Sequence, residues 1–99
     1  SQLTHCIAVT LMTTNDSPMM EKYTGDSFRD LTRIAKINDV MWSELFLLNR
    51  EPLLEQMERF ERNFHLLKEA IAEKDTEKMK EMMRLSTARR ALFDKKEKP

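Results

Sequence analysis

Apolar residues recur along the chain at helical spacing, and short polar breaks separate the runs. Residues 2–14 carry Leu3, Cys6, Ile7, Ala8, Val9, Leu11 and Met12. This predicts a first helix that is apolar almost all round and so belongs in a core or an interface. TNDSP, residues 14–18, is turn-like, and residues 19–25 read as a short link ending at Gly25. In FRDLTRIA, residues 28–35, a step of 100° per residue puts Phe28, Leu31, Ile34 and Ala35 on one face. Arg29, Arg33 and Lys36 fall on the other. Ser27 and Asp30 have the S-x-x-D spacing of a helix start, so Ser27 is the expected N-cap, with the end near Asn38. Asp39 is the expected cap of the next helix, VMWSELFLL. With Asn49 as an N-cap, Pro52 lies in a first turn, where its missing N–H costs nothing; a kink in one long helix is the alternative.

Leu53, Met57, Phe60, Phe64, Leu67 and Ile71 then follow at spacings of 4, 3, 4, 3 and 4, a heptad seam. EKDT, residues 73–76, closes that helix and opens a last one over about 76–93, with Met79, Met82, Met83, Leu85 and Leu92. Short connections place such helices antiparallel. The expected fold class is all-α, about five helices with a long antiparallel C-terminal hairpin. Residues 1–93 form the domain, and DKKEKP, residues 94–99, is a charged tail.

Composition narrows the function by exclusion. The 99 residues include 17 basic and 17 acidic side chains, so there is no cationic excess for nucleic acid or an anionic membrane. No apolar run approaches the roughly 18 residues of a membrane span. CIAVTLM lacks the flanks of a signal peptide. Lone Cys6 cannot form an internal disulfide or a Cys-rich zinc site, and it fits a reducing, cytoplasmic compartment. Gly25 is the only glycine, whereas a dinucleotide fingerprint needs three and a P-loop two. This chain alone is therefore expected to bind no nucleotide cofactor and no metal.

Few residues are candidates for chemistry. Arg29 and Arg33 suit bidentate contacts to a carboxylate or phosphate. They suit equally a solvated face in which Arg33 pairs with Asp30 and Arg29 with Asp26. His5 opens an otherwise apolar helix and His65 lies among charges. Trp42 reads as core. The eight methionines and the heptad seam fit a core or dimer contact, or else a stand-alone helical module that takes a partner helix.

Three blocks resemble the C-terminal domain of prephenate dehydrogenase. That family reads roughly S-H-L-P-H before an apolar helix, and this chain reads SQLTHCIAVTLM. Its G-G-G-F-[RK]-D-[FM]-T-R-[IL]-A is matched by GDSFRDLTRIA, and its D-P-x-M-W-x-[DE]-[IL]-F-x-x-N by NDVMWSELFLLN. Order and spacing agree over nearly the whole chain.

The resemblance implies an all-helical, homodimeric dimerisation domain that follows a nucleotide-binding domain absent from this chain. The intact enzyme oxidises prephenate with NAD or NADP to 4-hydroxyphenylpyruvate and carbon dioxide, for tyrosine synthesis, in a cleft between the domains. By position, Arg33 matches the arginine that binds a substrate carboxylate. Arg29 matches a basic position of the same pocket, and His5 a histidine that lines it. Asp30 and Trp42 match positions that support the site. The catalytic histidine lies in the absent domain, so the fragment alone is expected to be inert. Gln2 and Thr4 depart from the first block. Asp26 and Ser27 replace two glycines, which favours arogenate, with its amine, as an alternative substrate.

Overall fold

The computed structural model describes residues 2–14 and 20–97, and the side chains of 2–14 and 25–94. These residues form α1 (Gln2–Thr14), α2 (Met20–Thr32), a 3-10 turn (Arg33–Ala35), α3 (Asp39–Leu48), α4 (Arg50–Ala72) and α5 (Thr76–Glu97). No strand occurs among the described residues, so the chain is all-α as its periodicity predicts. Most of the TNDSP turn lies outside the described residues. Two compact units divide the chain, Ser1–Met57 and Glu58–Pro99, and α4 passes from one into the other.

In the first unit, α1 packs against α2 and the 3-10 turn. Ala8 is fully buried, and the small side chain lets the backbones approach. The expected link over 19–25 is instead helical from Met20. The break is confined to Gly25, whose φ of 66° and ψ of −163° lie far from helical values. The chain re-enters the helix at once, so Gly25 occupies the non-helical position before the Asp26–Thr32 turns. Ser27, with helical backbone, is not the cap.

The FRDLTRIA helix also ends sooner than Asn38. Thr32 leaves helical geometry (φ −99°, ψ 5°), and its hydroxyl donates to the Phe28 carbonyl at 2.7 Å. Such back-bonding bends helices, and the chain tightens into the 3-10 turn.

Asn38, not Asp39, caps α3. Its Oδ1 accepts the Met41 N–H at 3.0 Å, and its carbonyl accepts that of Trp42 at 3.0 Å. Asp39 sits one residue inside, where a carboxylate suits the positive end of the helix. Asn49 serves two helices. It closes α3 through its N–H to Leu45 at 3.2 Å, and its carbonyl accepts the Leu53 N–H at 3.0 Å to begin α4. Pro52 thus falls in the first turn of α4, and the two helices are separate.

In the second unit, α4 and α5 meet at the predicted EKDT turn. Ala70 beside it is buried, and Leu67, Met79 and Met82 are half-buried. The rest of the seam is open, with Phe60, Phe64 and, next to the turn, Ile71 exposed at 40%, 61% and 58%. α5 continues to Glu97, past the expected end near 93, and Arg90 pairs with Asp94 at 3.0 Å across one turn.

Among the described residues only Ala8, Leu53 and Ala70 are buried apolar groups. Two of the three are alanines, so little apolar area leaves water within each unit.

Candidate functional site

The candidate residues all belong to the first unit. His5 lies in the first turn of α1 and is half-buried. Its imidazole stacks on the indole of Trp42, with ring centroids 3.9 Å apart and planes inclined by 22°. Trp42 leans in turn on Phe46, one helical turn along α3, at 5.8 Å and 57°. The capped start of α3 fixes where the indole stands, because the Trp42 N–H is bound to the Asn38 carbonyl. Cys6, next to His5, is half-buried, and burial pushes its thiol above the usual value.

Arg29 lies in the last turn of α2, and Arg33 opens the 3-10 turn. Both are exposed, as is Asp30 between them. The change of geometry at Thr32 rotates Arg33 away from the position that an unbroken helix would give it relative to Arg29. Among the described residues neither arginine has a carboxylate within 4.0 Å, so the Arg33–Asp30 and Arg29–Asp26 pairs that the sequence allows are not formed. An exposed guanidinium group can make bidentate contacts with a carboxylate or phosphate. The segments that bear them pack on α1, the helix of His5.

His65 is remote in sequence and pairs on the α4 surface with Glu69 at 2.6 Å. No group of three His, Cys, Asp or Glu suited to a metal occurs among the described residues, and no described helix is long and apolar enough to cross a membrane.

Sequence reasoning missed two contributors. Phe46 buttresses the stack, and nothing in its periodicity distinguishes it from other apolar positions. Asn38 had a usable signal, since asparagine is among the best N-caps. The contact of His5 with Trp42 is tertiary, and no local pattern encodes it.

The described residues thus define an all-α domain whose α4 seam is apolar and exposed at Phe60, Phe64 and Ile71. Comparison with known proteins makes the class specific. The family described as "Prephenate dehydrogenase, dimerization domain" matches residues 1–85, so the chain belongs to that family. The match contains all three blocks of the sequence resemblance. Among curated relatives, the chain is 32% identical over 82 residues to the prephenate dehydrogenase of Lactococcus lactis subsp. cremoris (strain MG1363), covering 78% of this chain. It is 25% identical over 84 residues to that of Bacillus subtilis (strain 168), covering 80% of this chain. The alignments cover 23% of each relative, so this chain corresponds to about a quarter of those proteins.

Proposed function

We propose that this chain is the dimerising, substrate-completing half of a cytoplasmic prephenate dehydrogenase. The family match over residues 1–85 is the observation that carries the reading. Residues 1–93 act as the domain, and 94–99 as a charged tail. A nucleotide-binding half supplies the site for NAD or NADP, since one glycine cannot build a dinucleotide cradle here. When bound in that half, NAD or NADP would supply the hydride acceptor for oxidative decarboxylation of prephenate to 4-hydroxyphenylpyruvate and carbon dioxide.

This chain's residues orient the substrate. Prephenate carries two carboxylates. Arg33 clamps one of them, Arg29 adds cationic charge beside it, and His5 lines the pocket. Trp42 and Asp30 support the site. Such a reaction depends on fixed orientation more than on strong acid catalysis. Both guanidinium groups are exposed and have no carboxylate partner among the described residues, which supports the assignment. Alone, the chain is inert, because it lacks the hydride acceptor's site.

A second substrate reading rests on Asp26. It follows Gly25 directly, is exposed and has no basic partner among the described residues. A carboxylate there favours arogenate, whose amine is cationic. The ratio of kcat/KM for arogenate to that for prephenate decides between the two.

Two measurements test the main reading. The coding sequence upstream should encode a strand followed by G-x-G-x-x-G, and an unrelated upstream region would reject the assignment. In the intact enzyme, Arg33→Ala should cost about 2 kcal/mol in kcat/KM for prephenate, roughly 30-fold, with cofactor affinity unchanged. An undiminished response to prephenate would remove Arg33 from the site.

A further inference from the structure

The His5–Trp42 stack has a chemical consequence. Face-on stacking engages the π-faces of the imidazole and makes no use of its edge. Both ring nitrogens lie in the ring plane, so a stacked histidine keeps its hydrogen-bonding capacity. At 3.9 Å and 22° the indole blocks rotation of the imidazole about its Cβ–Cγ bond, since turning the ring would drive its edge into the indole face. Trp42 is itself supported. Its backbone N–H is held by Asn38 in the first turn of α3, and Phe46 lies against it at 5.8 Å.

We infer that Trp42 is a positioning residue that fixes the plane of His5, so that a ring nitrogen of His5 meets an oxygen of the anionic substrate. The inference rests on the substrate reading above and gives Trp42 a defined task within it. Trp42 acts through His5 and not by touching the substrate. Its contribution therefore disappears when His5 is absent. A phenylalanine at 42 retains part of the stack, and a leucine supplies bulk without a flat face.

The test is a double-mutant cycle in the intact enzyme with prephenate as substrate. Trp42→Leu should raise KM about tenfold with kcat within about twofold, and Trp42→Phe should raise KM by no more than about threefold. In a His5→Ala background, neither change at 42 should raise KM further. Equal rises in both backgrounds would overturn the positioning role. If Trp42→Leu does not fold, Trp42→Phe is read alone against the same background, by the same criterion. Nuclear magnetic resonance adds a readout independent of turnover. The His5 ring protons should be shifted upfield by the indole in the wild type, partly so in Trp42→Phe and not in Trp42→Leu. Unshifted wild-type protons would overturn the inference. Failure of the wild-type enzyme to oxidise prephenate rejects the substrate reading itself, whereas turnover with additive losses rejects only the role of Trp42.

Discussion

The backbone N–H of Asp75 donates to the carbonyl of Ala70 at 2.8 Å, reaching back over five residues to close α4. Lys74 donates to Ile71 at 3.2 Å inside that loop. The two bonds together are a Schellman motif, which needs a left-handed residue at its second-last position. Lys74 takes that conformation, with φ of 58°. A side chain there works against the backbone, because Cβ crowds the following carbonyl. Lys74→Gly should therefore stabilise the protein by about 0.5–1 kcal/mol, after allowing for glycine's greater freedom when unfolded. Asp75 caps α5 in turn, with Oδ1 accepting the Lys78 N–H at 3.0 Å. Asp75→Ala should cost about 1 kcal/mol. Urea midpoints at fixed protein concentration, with unchanged m, would show both shifts.

Gly25 presents the opposite case, a left-handed backbone filled by the residue it demands. Its φ of 66° and ψ of −163° belong to a region essentially restricted to glycine. A Cβ there would meet nothing within 4 Å, so the penalty for a side chain is backbone strain and not a clash. Gly25→Ala should destabilise by about 1–3 kcal/mol. A d-alanine introduced by chemical ligation, which accepts positive φ, should recover most of the loss. Equal unfolding midpoints for the two alanine isomers would contradict the strain argument.

The thiol of Cys6 should respond to pH in a defined sense. Burial raises it above the ordinary value of 9.0, and a hydrogen bond from its own backbone offsets part of the rise. A thiol whose folded value lies above its unfolded value stabilises the fold fully below pH 9.0 and loses that contribution as pH climbs through the folded value. Alkylation by iodoacetamide should accelerate with a midpoint above pH 9.0. The stability of Cys6→Ser should fall less steeply than that of the wild type across the same range. A midpoint at or below the ordinary value would show that the thiol is not desolvated.

These predictions separate what local sequence encodes from what it does not. The extent of α1 and the position of Pro52 in a first turn follow from periodicity and the chemistry of proline. The starts of the next two helices each move, because two capping residues compete. Gly25 displaces Ser27 by taking a backbone geometry that serine cannot share. Asn38 displaces Asp39 because the residue outside the helix has the free backbone to turn its amide onto Met41. The 3-10 turn at Arg33 was not legible, since it depends on the Thr32 hydroxyl choosing its own carbonyl partner. Within the candidate site, Arg29 and Arg33 stand out as a basic face from helical spacing alone. The stacking contact between the candidate site's two rings, 37 positions apart from His5 to Trp42, depends on the packing of whole helices.

The seam of α4 supplies the last prediction. Phe60 and Phe64 stack along one face of the helix, with centroids 6.0 Å apart and planes inclined by 16°, and both residues are exposed. Ile71, two turns further on, is exposed as well. Such a face leaves apolar surface in water within one chain, and a second copy can cover it. In a two-fold interface each substitution counts twice. Burying one phenylalanine is worth about 1.5–3 kcal/mol, so Phe64→Glu should weaken the proposed homodimer by about 3–6 kcal/mol, at least a hundredfold in Kd. His65→Ala removes only the exposed pair with Glu69 and should leave the dimer intact. Light scattering across a dilution series would show the difference, with helix content from circular dichroism confirming that the monomer is still folded. A dimer indifferent to Phe64→Glu would place the interface elsewhere. A wild-type chain that is monomeric at micromolar concentration and binds an apolar helical peptide would instead identify the seam as a receptor for a foreign helix.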